Sequence, residues 1–104
     1  MLQIQSFAVE TLRKMAPVVR RIGARDPDLG RQIRRSASSI VLNIAEATGA
    51  RDGNGRQRFK TALGSTRETQ AALEVGEAWG YVEHDVALAD ALNRIAATLN
   101  KLSR

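Results

Sequence analysis

The apolar positions of this chain fall into four helical runs separated by three breaks. In the first, over about residues 6–24, Phe7, Leu12, Met15, Val19 and Ile22 recur at the spacing of one helix face. Ser6 stands where an N-cap would, its hydroxyl able to accept from a free N–H of the first turn. Pro17 lies inside the run and is expected to bend it, because proline lacks an N–H and crowds the preceding turn. Gly23 and the Asp26-Pro27 turn end it. The second run starts at a cap on Asp28 and continues to about residue 48. It carries Leu29, Ile33, Ala37, Ile40, Ile44 and Ala47, the seam of a helix buried against neighbours. Gly49 to Gly55 forms the next break, with Gly53 and Gly55 offering positive φ and Asn54 placed to cap the third helix. The third run, about 55–79, is marked by the small residues Ala62, Gly64, Ser65, Ala71, Ala72 and Gly76. Glycine inside a helix costs about 1 kcal/mol relative to alanine, so Gly64 and Gly76 imply close approach of a neighbouring backbone. Gly80 ends this run as a C′ glycine. The last run, from about residue 83 or 85 to 101, aligns Leu88, Leu92, Ile95, Leu99 and Leu102. No segment alternates with period two over a useful length. The pattern predicts an all-α fold, an up-down-up-down antiparallel four-helix bundle occupying residues 1–104 as a single domain.

A second, polar stripe follows the apolar seam of helix two: Ser36, Ser39, Asn43 and Glu46. Helix three carries a matching one: Arg58, Thr61, Ser65 and Glu68. If the helices are antiparallel about a turn near residue 52, residues whose numbers sum to about 104 share a level. Glu46 is then expected beside Arg58, Asn43 beside Thr61, Ser39 beside Ser65, and Ser36 beside Glu68, with Arg35 as the cation for Glu68. Small hydroxyl residues would let the helices approach, while their polar groups would demand partners. The expectation is a hydrogen-bonded ladder bracketed by two ion pairs. Removing one member of a partly buried pair costs about 3–5 kcal/mol, so Glu68→Ala is expected to damage folding or assembly.

Charge changes this picture in one respect. The net charge is +5, but residues 1–67 hold 13 Lys/Arg against 5 Asp/Glu, whereas residues 68–104 hold 3 against 6. A basic face that meets a polyanion and a surface that simply keeps a small protein soluble account for the asymmetry equally well. Arg20, Arg21 and Arg25, with Arg31, Arg34 and Arg35, gather toward one end of the bundle. Arg51, Arg56, Arg58 and Lys60 gather at the turn between helices two and three. Arg20, Arg21, Arg31, Arg34, Arg51, Arg56, Arg58 and Lys60 are the candidate nucleic-acid-binding residues, since guanidinium forks suit phosphate. Only four aromatic residues are present and only Phe59, between Arg58 and Lys60, falls within these clusters, so any such contact would be dominated by the backbone and salt-sensitive.

Catalytic chemistry finds little support. Cysteine is absent, which excludes disulfides, thiolate metal sites and cysteine nucleophiles. The single histidine, His84, belongs to no Glu-x-x-His repeat, which argues against a two-metal site between the helices. No Gly-x-Ser-x-Gly elbow ties a serine to it. Gly53-Asn54-Gly55 lacks the preceding strand and the Gly-Lys-Ser/Thr ending of a phosphate loop. No enzyme, cofactor or small-molecule substrate is expected. No stretch is apolar enough for a signal peptide or a membrane span, so a cytoplasmic location is expected.

One stretch of helix two also carries a resemblance. Gln32-Ile33-Arg34-Arg35-Ser36-Ala37-Ser38-Ser39-Ile40-Val41-Leu42-Asn43-Ile44-Ala45-Glu46-Ala47 resembles the signature of the four-helix-bundle proteins encoded in intervening sequences of bacterial large-subunit ribosomal RNA genes. Ala62-Leu63-Gly64-Ser65-Thr66-Arg67-Glu68 is similar to the second block of that family, and Gly80-Tyr81 to its usual end of helix three. Val41 stands where the family usually has proline, Ala47 where it has glycine, and Ser36 where alanine is common. The resemblance implies a homopentameric ring of four-helix bundles. It also implies kinship with the accessory protein of diversity-generating retroelements, a basic pentamer that works with a reverse transcriptase and nucleic acid. Two functions arise as expectations: a non-enzymatic oligomeric scaffold binding RNA, DNA or a nucleic-acid-associated protein, or a protein-binding adaptor anchored by Trp79 and Tyr81.

Overall fold

A computed structural model describes residues 3–50 and 54–104 of the chain. These residues form four α-helices: α1 (Gln3–Arg25), α2 (Pro27–Gly49), α3 (Asn54–Ala78) and α4 (Val86–Leu102). No strand occurs among them. The broadest contact is between α2 and α3, then α1 with α2 and α3 with α4, and a smaller α1–α4 contact closes the ring of helices. Met15, Ile22, Ile33, Ile40, Ile44, Leu92, Ile95 and Leu99 fill the shared core. Every position of the apolar seam read on α2 is buried; on α4, Leu102 turns outward in the last turn. No helix of the described residues is long and apolar enough to cross a membrane.

The helix starts differ from those expected. α1 begins at Gln3, so Ser6 lies inside the helix and is not its N-cap. The helix runs on through Pro17, whose ring sits on the exposed side. Asp26, not Asp28, caps α2: its Oδ1 accepts from the Leu29 N–H at 3.0 Å, and Pro27 occupies the first helical position. Pro27 has no N–H to leave unsatisfied, which is why the cap falls before it. Asp28 instead pairs with Arg31 at 3.2 Å on the surface. With only Asp26 between them, α1 and α2 must cross tightly. Gly23 and Gly30 make this possible, since a Cβ on Gly30 would lie 2.8 Å from the Gly23 Cα.

The connection from α3 to α4 is equally defined. Gly80 takes φ +78°, and the Tyr81 N–H reaches the Gly76 carbonyl at 2.9 Å, closing the helix end as expected. The Tyr81 hydroxyl then donates to Asp26 Oδ2 at 3.3 Å, and Arg25 stacks over its ring at 5.3 Å from the centroid. Asp85 caps α4 by accepting from the Leu88 N–H.

Candidate nucleic-acid interface

Helices α2 and α3 run antiparallel, and their polar residues meet along one seam. Ser65 Oγ donates to Ser39 Oγ at 2.8 Å, and Arg58 pairs with Glu46 at 3.0 Å, both on the levels expected. The remaining rungs differ. Asn43 turns back along its own helix, donating to the Ser39 carbonyl at 2.9 Å and to Ser39 Oγ at 3.0 Å. Its amide is one turn from that carbonyl, so a local bond forms without reaching across. Thr61 likewise donates to the Gln57 carbonyl. Ser36 meets Thr69, not Glu68, at 2.7 Å, and both hydroxyls are buried. Thr69 also donates to the Ser65 carbonyl at 2.8 Å, which joins the two serine rungs into one network. Among the described residues, no buried side-chain polar atom lacks a partner.

Arg35 and Glu68 form no ion pair among the described residues, contrary to expectation, and both are exposed. Thr69 is one residue further around the helix and takes the inward position that Glu68 would have needed. Its hydroxyl can bond its own helix where a carboxylate would have to be desolvated. The sequence signal for Thr69 was its i+4 relation to Ser65, obscured because Glu68 completed the more regular stripe. Glu46 and Arg58 are about half exposed, at 55% and 50% of the side chain. Their pair is therefore a surface interaction of about 0–1 kcal/mol, not the costly partly buried pair expected.

The candidate arginines separate into four places. Arg20 and Arg34 flank one groove of about 190 Å³ between α1 and α2, floored by Leu12, Met15, Val19 and Ala37. Arg31 and Arg35 lie on the outer surface of α2, Arg31 engaged by Asp28. Arg21 points elsewhere, into the cleft formed with residues 80–86, where Glu83 and Asp85 also line the wall. The fourth group sits at the start of α3: Arg56 reaches the Arg104 carbonyl at 3.4 Å, Arg58 is held by Glu46, and Lys60 is exposed. Arg51 and the side chain of Asn54 lie outside the described residues. Adjacent residues on a helix point about 100° apart, and here that step sends Arg20 to the α1–α2 groove and Arg21 to the cleft with residues 80–86. Among the described residues, Arg20, Arg34, Arg35 and Lys60 make no ion pair.

Elsewhere the polar groups are accounted for locally. His84 Nδ1 lies 3.1 Å from Glu77 Oε1 on the surface. The described residues bring together no group of three His, Asp or Glu side chains able to hold a metal ion. Tyr81 is committed to Asp26 and Arg25, which leaves Trp79, 69% exposed, as the one aromatic of that rim free to meet a partner.

The model of the 23S rRNA-intervening sequence protein family matches residues 4–102, nearly the whole chain. The chain belongs to this family. The match runs through both helices of the hydroxyl seam and through the α1–α2 groove, so the seam and the groove both lie within the family's domain. No curated protein and no solved structure matches the chain.

Proposed function

We propose that this protein is a non-enzymatic, homo-oligomeric scaffold that binds the phosphate backbone of RNA through the arginines of its α1–α2 face. In this reading the helices run up, down, up and down, and five copies close a cytoplasmic ring, as the family resemblance implies. The antiparallel bonding of α2 and α3 and the one-residue link between α1 and α2 support that topology. The observation that carries the RNA reading is the groove flanked by Arg20 and Arg34, two cations with no carboxylate partner among the described residues. A guanidinium left unpaired keeps all its donors for a phosphate, and its fork matches two phosphate oxygens. Five copies of such a groove would add weak contacts by avidity.

The test is fluorescence anisotropy with labelled single-stranded and duplex RNA across a salt series. Binding is expected at low salt and to weaken steeply as salt rises. Arg20→Glu/Arg34→Glu should lower affinity at least about tenfold and flatten the salt slope by about 1.4–1.8, two phosphate contacts' worth. No binding at low salt would remove this reading. The alternative, a protein-binding adaptor, draws on Trp79, since exposed tryptophans are frequent interface anchors. It predicts a partner retained after nuclease treatment and lost in Trp79→Ala.

A further inference from the structure

Outside the hydroxyl seam, α2 and α3 each present a ridge that nothing in their own subunit uses. At about 100° per residue, Arg31, Arg35 and Leu42 point within about 40° of one another on α2, opposite the buried Ile33 and Ile40. On α3, Gly64, Glu68, Ala71 and Val75 point within about 60° of one another, opposite the buried Ala62 and Leu73. All of these ridge residues are exposed, Leu42 at 62% and Val75 at 43%. The two glycines of α3 also differ. A Cβ on Gly76 would come within 2.9 Å of Ile22 Cδ1, which accounts for that glycine inside the subunit, whereas a Cβ on Gly64 would meet nothing within 4 Å.

The bonds Ser36–Thr69, Ser39–Ser65 and Glu46–Arg58 fix the register: residues of α2 and α3 whose numbers sum to about 104 lie at one height. Arg35 and Glu68 therefore share a height inside the subunit, yet they make no ion pair among the described residues. Each neighbours a seam hydroxyl, Ser36 or Thr69, and is turned about 100° out of the seam, so the two side chains run outward side by side.

A second copy related by rotation about an axis parallel to the helices keeps every height unchanged. Heights matched within the subunit are then matched between the α2 ridge of one copy and the α3 ridge of the next. Arg35 comes within about 3 Å, two residues' rise, of the level of the next copy's Glu68, a gap that two long side chains span. Leu42 comes level with residue 62 and, leaning toward the N-terminus of its helix, lies over the open position at the next copy's Gly64. Arg31 comes between Ala71 and Val75, its aliphatic stem over the valine. One ridge thus offers cations and a leucine, the other a carboxylate and a notch, so the contact is head-to-tail. The ridges stand on neighbouring corners of the bundle, about 90° apart around its axis, near the roughly 108° that separates the two contacts of each member in a ring of five. Arg34 is turned about 80° from Leu42 on α2, which leaves the α1–α2 groove uncovered.

We infer that the outer ridge of α2 docks on the outer ridge of α3 of a second copy of this chain, pairing Arg35 with Glu68 and seating Leu42 at Gly64 between subunits. This deepens the oligomeric part of the proposed function and rests on it.

The experiment is native mass spectrometry and light scattering of the RNA-free protein. Arg35→Glu/Leu42→Glu disables the α2 ridge and Gly64→Glu the α3 ridge; each variant alone should be monomeric, with helix content kept. Mixed, each retains the ridge that the other lacks, so the two should form a 1:1 dimer and nothing larger. Arg35→Glu alone should lower the wild-type mass, and the exchange Arg35→Glu/Glu68→Arg should restore it by returning opposite signs to the contact. An oligomer that survives both ridge variants, a mixture without the dimer, or an exchange that fails to rescue would overturn the contact and leave the ring standing. A monomeric wild type would overturn both. Arg20→Glu/Arg34→Glu should keep the wild-type mass, so loss of RNA binding and loss of assembly are separate results.

Discussion

The inner and outer faces of α3 both carry polar residues, but of different kinds and put to different use. On the inner face, Ser65, Thr66 and Thr69 are buried or half-buried, and each hydroxyl donates to α2 or to a carbonyl of its own helix. On the outer face Arg67 and Glu68 project into open space without an ion-pair partner among the described residues. The difference is one of reach. A hydroxyl satisfies itself one turn back along the helix and can be buried at little cost, whereas a charged group needs a counter-ion and solvent. The polar residues buried in the α2–α3 seam are therefore the short ones, and Arg67 and Glu68 stay on the surface.

The comparison can be broken most severely at Leu73, which is 7% exposed on the inner side of α3. Leu73→Ala should cost about 2–5 kcal/mol in chemical denaturation, against less than about 0.5 kcal/mol for Val75→Ala measured in a monomeric background. Gly76→Val comes next: its added carbons press on Ile22 and Leu29, and a loss of about 1–3 kcal/mol is expected from the same measurement. Ser36→Ala should cost about 1 kcal/mol, and the double change with Thr69→Val should cost less than the two singles combined, because the pair is removed together. Arg58→Ala should cost at most about 1 kcal/mol, shrinking further in high salt, as befits a half-exposed pair. Smallest of all, Glu68→Ala should leave subunit stability within about 0.5 kcal/mol. A large loss there would mean that Glu68 has an internal partner after all, and the distinction between the two faces would fail.

Much of this was legible in the residues themselves. The α2 seam read from Leu29 to Ala47 is the seam observed, because a helix facing the core on one side writes a single clean period into its sequence. The Ser39–Ser65 and Glu46–Arg58 levels came from antiparallel counting alone. Helix α3 was harder, since it packs on α2 along one flank and on α4 along the other and leaves Lys60, Gly64, Arg67, Ala71 and Val75 outward, so no single stripe dominates. Asn43 and Thr61 chose local bonds over the cross-helix one expected, because register fixes proximity but not rotamer. Arg20 and Arg21 part for a related reason: the turn of about 100° between neighbours takes one to the α1–α2 groove and the other to the cleft with residues 80–86.

The sequence by itself determined that four helices form, about where they break, and most of the apolar residues they bury, because these depend on periodicity and glycine chemistry within a few turns. The tertiary structure alone decided which polar groups are spent on the fold and which are free. That choice depends on whether a partner lies within about 3 Å of a particular side-chain rotamer, a matter of packing that periodicity does not encode. It placed Thr69 in the seam, left Arg35 and Glu68 outside it, and set Arg20 beside Arg34 across the α1–α2 groove.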